Sequence, residues 1–342
     1  MVVPSDNALM TGVFAGILGG LAIVIWWAFF SRAEVSERWV AILLMIVSLF
    51  VASRLLHISI ATANMGLMFI IFSVPVMSLA FVAWAVASRR LSTGLRRKTM
   101  IATILMASGF WTLLRTEGMS SDLHFDFAFR WSPTREERFL TQTNNEKMTL
   151  TASSQKGAEW PGFRGANRDG IIHGLRLKTD WKASPPVELW RRPVGPGCSS
   201  FAVSGNFLYT QEQPGDNEVV SCYNLTNGKP VWIHSDKARF WDSHAGAGPR
   251  ATPTLSNGHI YTCGATGILN VLDANDGKLI WSRNAVSDTK AKESGWGFTG
   301  SPVVMVDKLL SQLPESLQLM TLLPENHSGS GLTGEEATVH HI

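Results

Sequence analysis

A spaced repeat in the second half of the chain restricts its fold more than any other feature. The segments VVSCYNLTNGKPVW (219–232) and ILNVLDANDGKLIW (268–281) align without gaps. Their closing tryptophans, Trp232 and Trp281, lie 49 residues apart, and the turn glycines keep the same spacing. Self-similarity at such a period indicates a repeat architecture in which each unit packs on its neighbours.

Each repeat also contains an earlier pair of short apolar strands, seen in SSFAVSGNFLYT (199–210), ATPTLSNGHIYT (251–262) and the start of a third copy, GSPVVMVDKLL (300–310). In the later turns, Asn or Asp caps the backbone and glycine supplies a left-handed conformation, which favours tight hairpins. Four short antiparallel strands per repeat predict an all-β partial propeller with four-stranded blades. The alternating hairpins argue against a solenoid.

The repeat resembles that of pyrroloquinoline-quinone-type (PQQ-like) β-propellers. The resemblance rests on the run DANDGK (273–278) followed by Trp281, and on EWPGFRGANRDGI (159–171), which is similar to the segment that opens such domains. It covers residues 159–310 and implies a ring of about six to eight blades when closed. Only two blades and the start of a third are recognisable in this chain.

The first 115 residues predict a membrane domain with about four transmembrane helices. A bilayer core requires roughly 20 apolar residues as helix. The first stretch lacks a positively charged beginning, which argues against a cleaved signal peptide. Of the ionisable residues, only Arg54 and His57 come close to a span. This scarcity of ionisable residues favours an anchor over a quinone, proton or substrate site. The four apolar stretches are 8–30, 39–52, 65–87 and 99–114.

Basic residues predict the orientation of this domain. The turn between the third and fourth stretches contains Arg89, Arg90, Arg96, Arg97 and Lys98 and no acidic residue, so the positive-inside rule places it in the cytoplasm. The expected location is the bacterial inner membrane, multi-pass, with the propeller on the periplasmic side. The expected partners are the bilayer and other envelope proteins. A net charge of +3 without a basic stripe gives no support to nucleic-acid binding.

Two smaller features complete the domain plan. Residues 116–158 are polar and predict a linker with one short helix around Pro133–Leu140. Cys198, Cys222 and Cys263 are widely spaced and odd in number, which excludes a disulfide framework and a paired-cysteine metal site. One disulfide, or three isolated cysteines, remains open.

The resemblance implies two different functions. Quinoprotein alcohol dehydrogenases use an adjacent cysteine pair over PQQ and a carboxylate and an amide around Ca²⁺. This chain has no adjacent cysteines and no recognisable ligand cluster. We therefore expect a binding or assembly scaffold with no catalytic residue, cofactor or metal. Because sugar-oxidising relatives also lack the cysteine pair, a membrane-bound PQQ-dependent dehydrogenase with PQQ and Ca²⁺ stays the alternative.

Two long loops, 238–253 and 287–302, interrupt the repeat and are the candidate ligand-binding segments, because loops of this length are uncommon without a function. The competing interpretation is that their tryptophans pack between blades and their arginine pairs with a nearby carboxylate. A metal site at the loop histidine would need partners that the sequence does not show. The candidate residues are Trp241, Asp242, His244, Arg250 and Trp296.

Residues 311–342 break the repeat and predict an irregular tail. A shifted reading frame joins the third base of each codon to the first two bases of the next. In this frame the junction of Met320 and Thr321 must encode Asp, and the junction of Glu325 and Asn326 must encode Lys or Glu. The hidden frame can read Asp-Ala-Ala-Thr-Gly-Lys-x-x-Trp at nearly the repeat period. The tail is thus expected to be a third blade in the wrong frame, and the product a truncated, non-functional remnant. The competing interpretation is a disordered tail, which its composition could support.

Overall fold

The computed structural model divides the chain into two compact units, Met1–Ser132 and Pro133–Ile342. The residues that the structure describes are 6–119, 125–143, 159–172, 174, 176–242, 245–289, 295–305, 308–313, 316–321 and 340–341.

The first unit is an antiparallel helical bundle followed by a β-hairpin. Its apolar helices lack a polar face, as is typical of segments that are apolar all round. The elements are α1 (Asp6–Phe30), α2 (Val35–Leu55), α3 (Ile58–Thr62), α4 (Met68–Ala87), α5 (Thr93–Gly109), β1 (Leu114–Met119) and β2 (Phe125–Phe129).

The core of the bundle is built from aromatic rings and long aliphatic side chains of four helices. Trp27 of α1 contacts Phe81 of α4 edge to face, with ring centroids 4.8 Å apart. Met45 of α2 and Ile104 of α5 belong to the same buried cluster. The fourth apolar stretch is therefore a helix of this bundle that packs together with the other three.

The prediction of four membrane spans is corrected to three apolar helices. Among the described residues, Thr11–Phe30, Val35–Leu55 and Met68–Arg90 are long and apolar enough to cross a membrane. α5 begins earlier than the predicted stretch 99–114 and has only 17 residues. It takes Arg96, Arg97 and Lys98 into its first turns, and these charges lower its apolarity.

The hairpin β1–β2 was not predicted, because residues 116–158 were assigned to a linker. Four aromatic residues alternate along β2 and beyond it: Phe125, Phe127, Phe129 and Trp131. Alternate residues of a strand share one face. Phe125 and Phe127 contact Phe72 of α4, with centroids 5.5 and 5.8 Å apart, so the hairpin is packed on one end of the bundle.

The second unit consists of a short helix and a series of small antiparallel sheets. Helix α6 lies where the linker helix was expected. The elements are α6 (Arg135–Thr143), β3 (Ala202–Ser204), β4 (Phe207–Glu212), β5 (Glu218–Asn224), β6 (Pro230–Asp236), β7 (Trp241–Asp242), β8 (Gly246–Ala247), β9 (Thr254–Ser256), β10 (His259–Cys263), β11 (Ile268–Asp273), β12 (Leu279–Asn284), α7 (Ala285–Thr289), β13 (Val303–Met305), β14 (Lys308–Leu313), β15 (Ser316–Thr321) and β16 (His340–His341).

Two four-stranded sheets confirm the predicted repeat unit. Blade 1 has the order β3-β4-β5-β6 and blade 2 the order β9-β10-β11-β12, with every neighbouring pair antiparallel. The Asx turns form as expected. Asn224 Oδ1 accepts the N–H of Thr226 at 2.9 Å, and Asp273 Oδ1 accepts that of Asn275 at 2.8 Å. Asn224 thus serves as a turn residue in the structure.

A tryptophan of one outer strand packs on the turn glycine of the next blade. Trp232 of β6 is 2% exposed, and its Nε1–H donates to the carbonyl of Ala274 at 3.2 Å. A Cβ on Gly277, which has φ +72°, would lie 2.3 Å from the indole of Trp232. Only glycine satisfies both the left-handed backbone and this close approach. The outer strand and the neighbouring turn therefore form one packing unit.

The same contact occurs one blade earlier, where the sequence analysis did not expect it. The indole N–H of Trp190 donates to the carbonyl of Leu225 at 2.8 Å, and its ring covers Gly228. Leu225 and Ala274 are equivalent positions of the repeat. Residues around Trp190 therefore occupy, relative to blade 1, the place that β6 occupies relative to blade 2.

A third sheet, β13-β14-β15-β16, crosses the boundary at residue 310 that the sequence predicted. Residues 308–313 and 316–321 lie in paired strands, with Leu310 opposite Leu319. The alternation of apolar and polar residues in SLQLMT favours this extended pairing. The predicted irregular tail therefore does not begin at residue 311. The rest of it, apart from residues 340–341, falls outside the described residues.

The opening segment 159–171 runs across the inner strands. Trp160 forms an antiparallel bridge with Val203 of β3, and the carbonyl of Pro161 accepts the N–H of Leu255 in β9 at 2.7 Å. Arg168 donates to the carbonyl of Pro302, just before β13, at 2.8 Å. This segment thereby ties the inner edges of the three sheets together.

Candidate functional site

The loop between blades 1 and 2 is held by a buried ion pair. Arg250 Nη2 donates to Asp242 Oδ2 at 2.5 Å, and the two side chains are 6% and 7% exposed. The guanidinium also donates to the carbonyls of Gly246 and Gly248, each at 2.8 Å, and lies 5.1 Å from the ring centroid of Phe240. A guanidinium with these partners organises the loop around itself. The predicted alternative, in which Arg250 pairs with a carboxylate, is thus observed.

Trp241 and Trp296 are brought to neighbouring loops with their rings partly exposed. The loops meet where a Cβ on Gly297 would lie 3.0 Å from the ring of Phe240. Trp241, next to Phe240, is 41% exposed, and Trp296, next to Gly297, is 54% exposed. Neither ring is buried between blades. The remaining candidate, His244, lies outside the described residues.

Helix α6 attaches to the same end of blade 1. Glu136 of α6 forms a two-pronged ion pair with Arg239, at 2.8 and 2.9 Å, and accepts the N–H of Gly215 in the β4–β5 loop at 2.9 Å. The interblade loops and the β4–β5 loop lie at one end of the sheets, opposite the Asx turns. We call this end, formed by residues 213–217, 237–242, 245–253, 264–267 and 295–301, the loop face.

A buried carboxylate that was not predicted from the sequence lies at the end of β4. Glu212 accepts the hydroxyls of Ser221 and Tyr223, each at 2.5 Å, and the N–H of Gly195. Burial, followed by the charge of Glu212, raises the pKa of Tyr223. The signal was the polar run QEQ at the end of an otherwise apolar strand, which indicates buried hydrogen bonding.

A second buried carboxylate lies between blades 1 and 2. Glu218 of β5 accepts the hydroxyl of Thr266 at 2.9 Å, and burial raises its pKa. Opposite it on β6, Asp236 accepts the amide of Asn270 at 2.6 Å. Although burial opposes it, hydrogen bonds from His234 and Asn270 hold the pKa of Asp236 below its ordinary value. The interface between the blades is therefore apolar around Trp232 and polar toward the loop face.

A quinoprotein dehydrogenase would need carboxylate and amide oxygens that are available to hold Ca²⁺. Within the described residues, no group of three or more His, Cys, Asp or Glu side chains is placed to hold a metal ion. The carboxylates of Glu212, Glu218 and Asp242 are already acceptors of protein hydrogen bonds. Cys198 is exposed, Cys222 and Cys263 are buried, and none of the three forms a disulfide.

The helical bundle contains a small apolar crevice. Its lining offers one hydroxyl and no ionisable group, which gives little support to a proton or quinone site at this place. The lining residues are Ile23, Val24, Trp27, Ile42, Met45, Ser78 and Phe81.

Comparison with known proteins shows what the repeat is similar to. Residues 178–325 match the family model described as outer membrane protein assembly factor BamB. The outer membrane protein assembly factor BamB of Yersinia pestis is 26% identical over 148 residues, which are 42% of this chain and 32% of that protein. The chain thus spans about a third of the length of this curated relative.

Solved structures to which the chain is similar include an enzyme and an assembly factor. A europium-containing methanol dehydrogenase is 20% identical, with a TM-score of 0.30, over 39% of this chain and 24% of its own. BamB from Moraxella catarrhalis is 16% identical, with a TM-score of 0.23, over 37% of this chain and 45% of its own. Likeness at this level carries no argument about function.

The fold and the sequence match together define the class of the second unit. It is a β-repeat domain with four-stranded antiparallel blades that follows a set of apolar helices. Within this unit and the segment before its sheets, residues 178–325 are similar to the PQQ-like repeat of BamB.

Proposed function

We propose that this chain is a membrane-anchored scaffold whose PQQ-like domain faces outward and binds other envelope proteins through its loop face. The single observation that carries the binding role is the pair of partly exposed tryptophans, Trp241 and Trp296, on adjoining loops. Tryptophan is enriched among the residues that dominate protein–protein binding energy. The charged residues beside Trp241 are engaged within the loop, so they support the position of the indole.

The anchoring role is supported by the three apolar helices and by the path of the chain. The basic turn 88–92 and the hairpin β1–β2 lie at opposite ends of the bundle, because α5 runs between them and packs in the bundle core. A cytoplasmic basic turn would therefore place the hairpin, and the chain that follows it, on the outer side.

Reporter fusions test this orientation. Alkaline phosphatase fused after residue 120 should be active, because the enzyme requires an oxidising compartment for its disulfides. A matched fusion within the basic turn, after residue 92, should be inactive, and a cytoplasmic reporter should give the reverse pattern. Activity of the cytoplasmic reporter after residue 120 would contradict the proposal.

Site-specific photo-crosslinking tests the binding surface. A photoreactive phenylalanine analogue placed at Trp241 or Trp296 in living cells should give a discrete adduct with another envelope protein. Trp181, which is 63% exposed in the same unit, is the matched control and should give none. Equal crosslinking at all three positions, or at Trp181 alone, would show that the loop face is not the binding surface.

A PQQ-dependent dehydrogenase is the second candidate function, kept because the sequence repeat resembles that of quinoprotein enzymes. The engagement of Glu212, Glu218 and Asp242 in protein hydrogen bonds speaks against it. We expect no dye reduction with alcohols or sugars after incubation of the purified protein with PQQ and Ca²⁺. Turnover that requires both additions would replace the scaffold proposal with the enzyme.

A further inference from the structure

The aromatic row of the β1–β2 hairpin continues beyond the bundle that supports it. Phe125 and Phe127 pack on the bundle, whereas Phe129 and Trp131 stack on each other with centroids 4.7 Å apart and planes 9° from parallel. Trp131 is 68% exposed. The two inner rings therefore fix the row, and the two outer rings project past the packed surface.

The position of the hairpin fixes the depth of these rings relative to the helices. β1 begins at Leu114, directly after the helical turn Phe110–Leu113 that ends the last helix of the bundle. Arg130 donates to the carbonyl of Leu55, the last residue of α2, at 2.6 Å. The outer rings thus lie level with the helix ends.

We propose that Phe129 and Trp131 insert into the headgroup region of the outer leaflet, so that the hairpin is a second, interfacial membrane contact of this chain. This inference rests on the proposed membrane anchoring. Tryptophan prefers this region because its ring is apolar and its N–H can bond to water or headgroups. The surface is continuous with exposed apolar residues at the same end of the helices, such as Leu55 and Leu113, which are 58% and 44% exposed.

A positive charge at the hairpin end of the bundle also favours contact with lipid headgroups. Arg130, between the two stacked residues, is exposed and is held at the bundle end by its bond to Leu55. A guanidinium at this height can pair with lipid phosphate. The hairpin therefore presents aromatic rings toward the acyl boundary and a cation toward the phosphates.

Depth-dependent fluorescence quenching tests the proposal on the full chain in lipid nanodiscs. With Cys198→Ser removing the exposed thiol, an environment-sensitive probe is attached at Trp131→Cys. Its fluorescence should be quenched more by lipids with a spin label near the headgroup than by lipids labelled deep in the acyl chain. A probe at Leu79→Cys, exposed in the middle of α4, should show the opposite order. A probe at Leu189→Cys, which is 82% exposed in the second unit, should be unaffected by either lipid.

The controls separate the two proposals. Quenching at Leu79 without quenching at either Trp131 or Phe129 would overturn the hairpin placement and leave the anchor intact. Absence of quenching at Leu79 would overturn the anchor, and the hairpin placement with it. A second probe at Phe129→Cys keeps Trp131 in place, so a displacement caused by losing the indole does not decide the result. Quenching at neither hairpin position, with Leu79 quenched, sinks the inference.

Discussion

Blades 1 and 2 have the same sequence pattern and the same strand order but differ in how their outer strands are buried. Trp232 of β6 is 2% exposed, whereas Trp281, at the equivalent place in β12, is only partly buried. Because both tryptophans hold the same place in the repeat, the sequence predicts that both are buried. This prediction is confirmed for Trp232 and wrong for Trp281. Trp232 packs on Gly277 of the following blade. The equivalent turn of the next repeat falls at residues 322–326, outside the described residues.

The difference between β6 and β12 indicates that an outer strand is buried by the neighbouring blade. Val231 of β6 and Ile280 of β12 are equivalent positions of the repeat, and they are 4% and 53% exposed. Trp232 is a core residue because the turn of the next blade at Gly277 covers its indole. Stability of the domain is thus distributed over interfaces between blades.

The largest expected effect is a difference between two matched substitutions. Trp232→Ala should lower the free energy of unfolding by about 3–5 kcal/mol, because it removes a buried indole and leaves a cavity. Trp281→Ala should cost only about 1 kcal/mol, because much less apolar surface is buried there. Chemical denaturation of the second unit, followed by circular dichroism, measures both. Equal costs would show that blade 2 packs on its neighbour as blade 1 does.

The predicted shift of reading frame in residues 311–342 also bears on the difference between Trp232 and Trp281. Nucleotide sequencing of the locus should show, in the shifted frame, the hidden Asp-x-x-x-Gly-Lys-x-x-Trp and several further copies before a stop codon. In a protein with the restored frame, Trp281 should gain its turn glycine, and the cost of Trp281→Ala should rise by about 3 kcal/mol to match Trp232. An early stop in that frame would leave residues 311–342 as genuine sequence.

Two glycine substitutions distinguish the cost of a clash with Trp232 from the cost of a left-handed backbone conformation. Gly277→Ala should destabilise the domain by about 3 kcal/mol, because it adds a clash with Trp232 to the strain of a left-handed alanine. Gly258 has φ +77° with nothing within 4 Å of its missing Cβ. Gly258→Ala should therefore cost only the strain of the backbone, about 1–2 kcal/mol. Similar losses at both positions would mean that Trp232 gives way easily.

The smallest expected effect concerns the polar part of the interface between the blades. Because burial raises the pKa of Glu218, the folded state holds a proton that the unfolded state releases as the pH rises. The unfolding free energy should therefore decrease as pH rises from the unfolded pKa through the folded pKa of Glu218. Glu218→Gln should remove this part of the pH dependence. The matched control Glu188→Gln, at an exposed position, should leave it unchanged.

Local sequence patterns were sufficient to predict the strands and turns of the blades, but not the side-chain contacts in the interblade loops. The turns at Asn224 and Asp273, and the strands before them, follow from spacing and turn chemistry within about ten residues. The paired state of Arg250 and the buried role of Glu212 depend on which loops and strands meet. A long loop rich in Trp, Asp and Arg has the same sequence pattern whether its charged side chains bind a ligand or pair with each other. The hairpin Leu114–Phe129 was missed because its polar residues hide the aromatic alternation.

The sequence by itself determined the apolar helices, the basic turn, the period of the repeat and the position of its glycine turns, because these depend on composition and on short-range backbone chemistry. Only the tertiary structure decided which tryptophan is buried, since Trp232 and Trp281 occupy the same local pattern and differ in the neighbour that covers them. The same holds for Trp241 and Trp296, whose exposure on adjoining loops results from contacts between segments that are far apart in the chain.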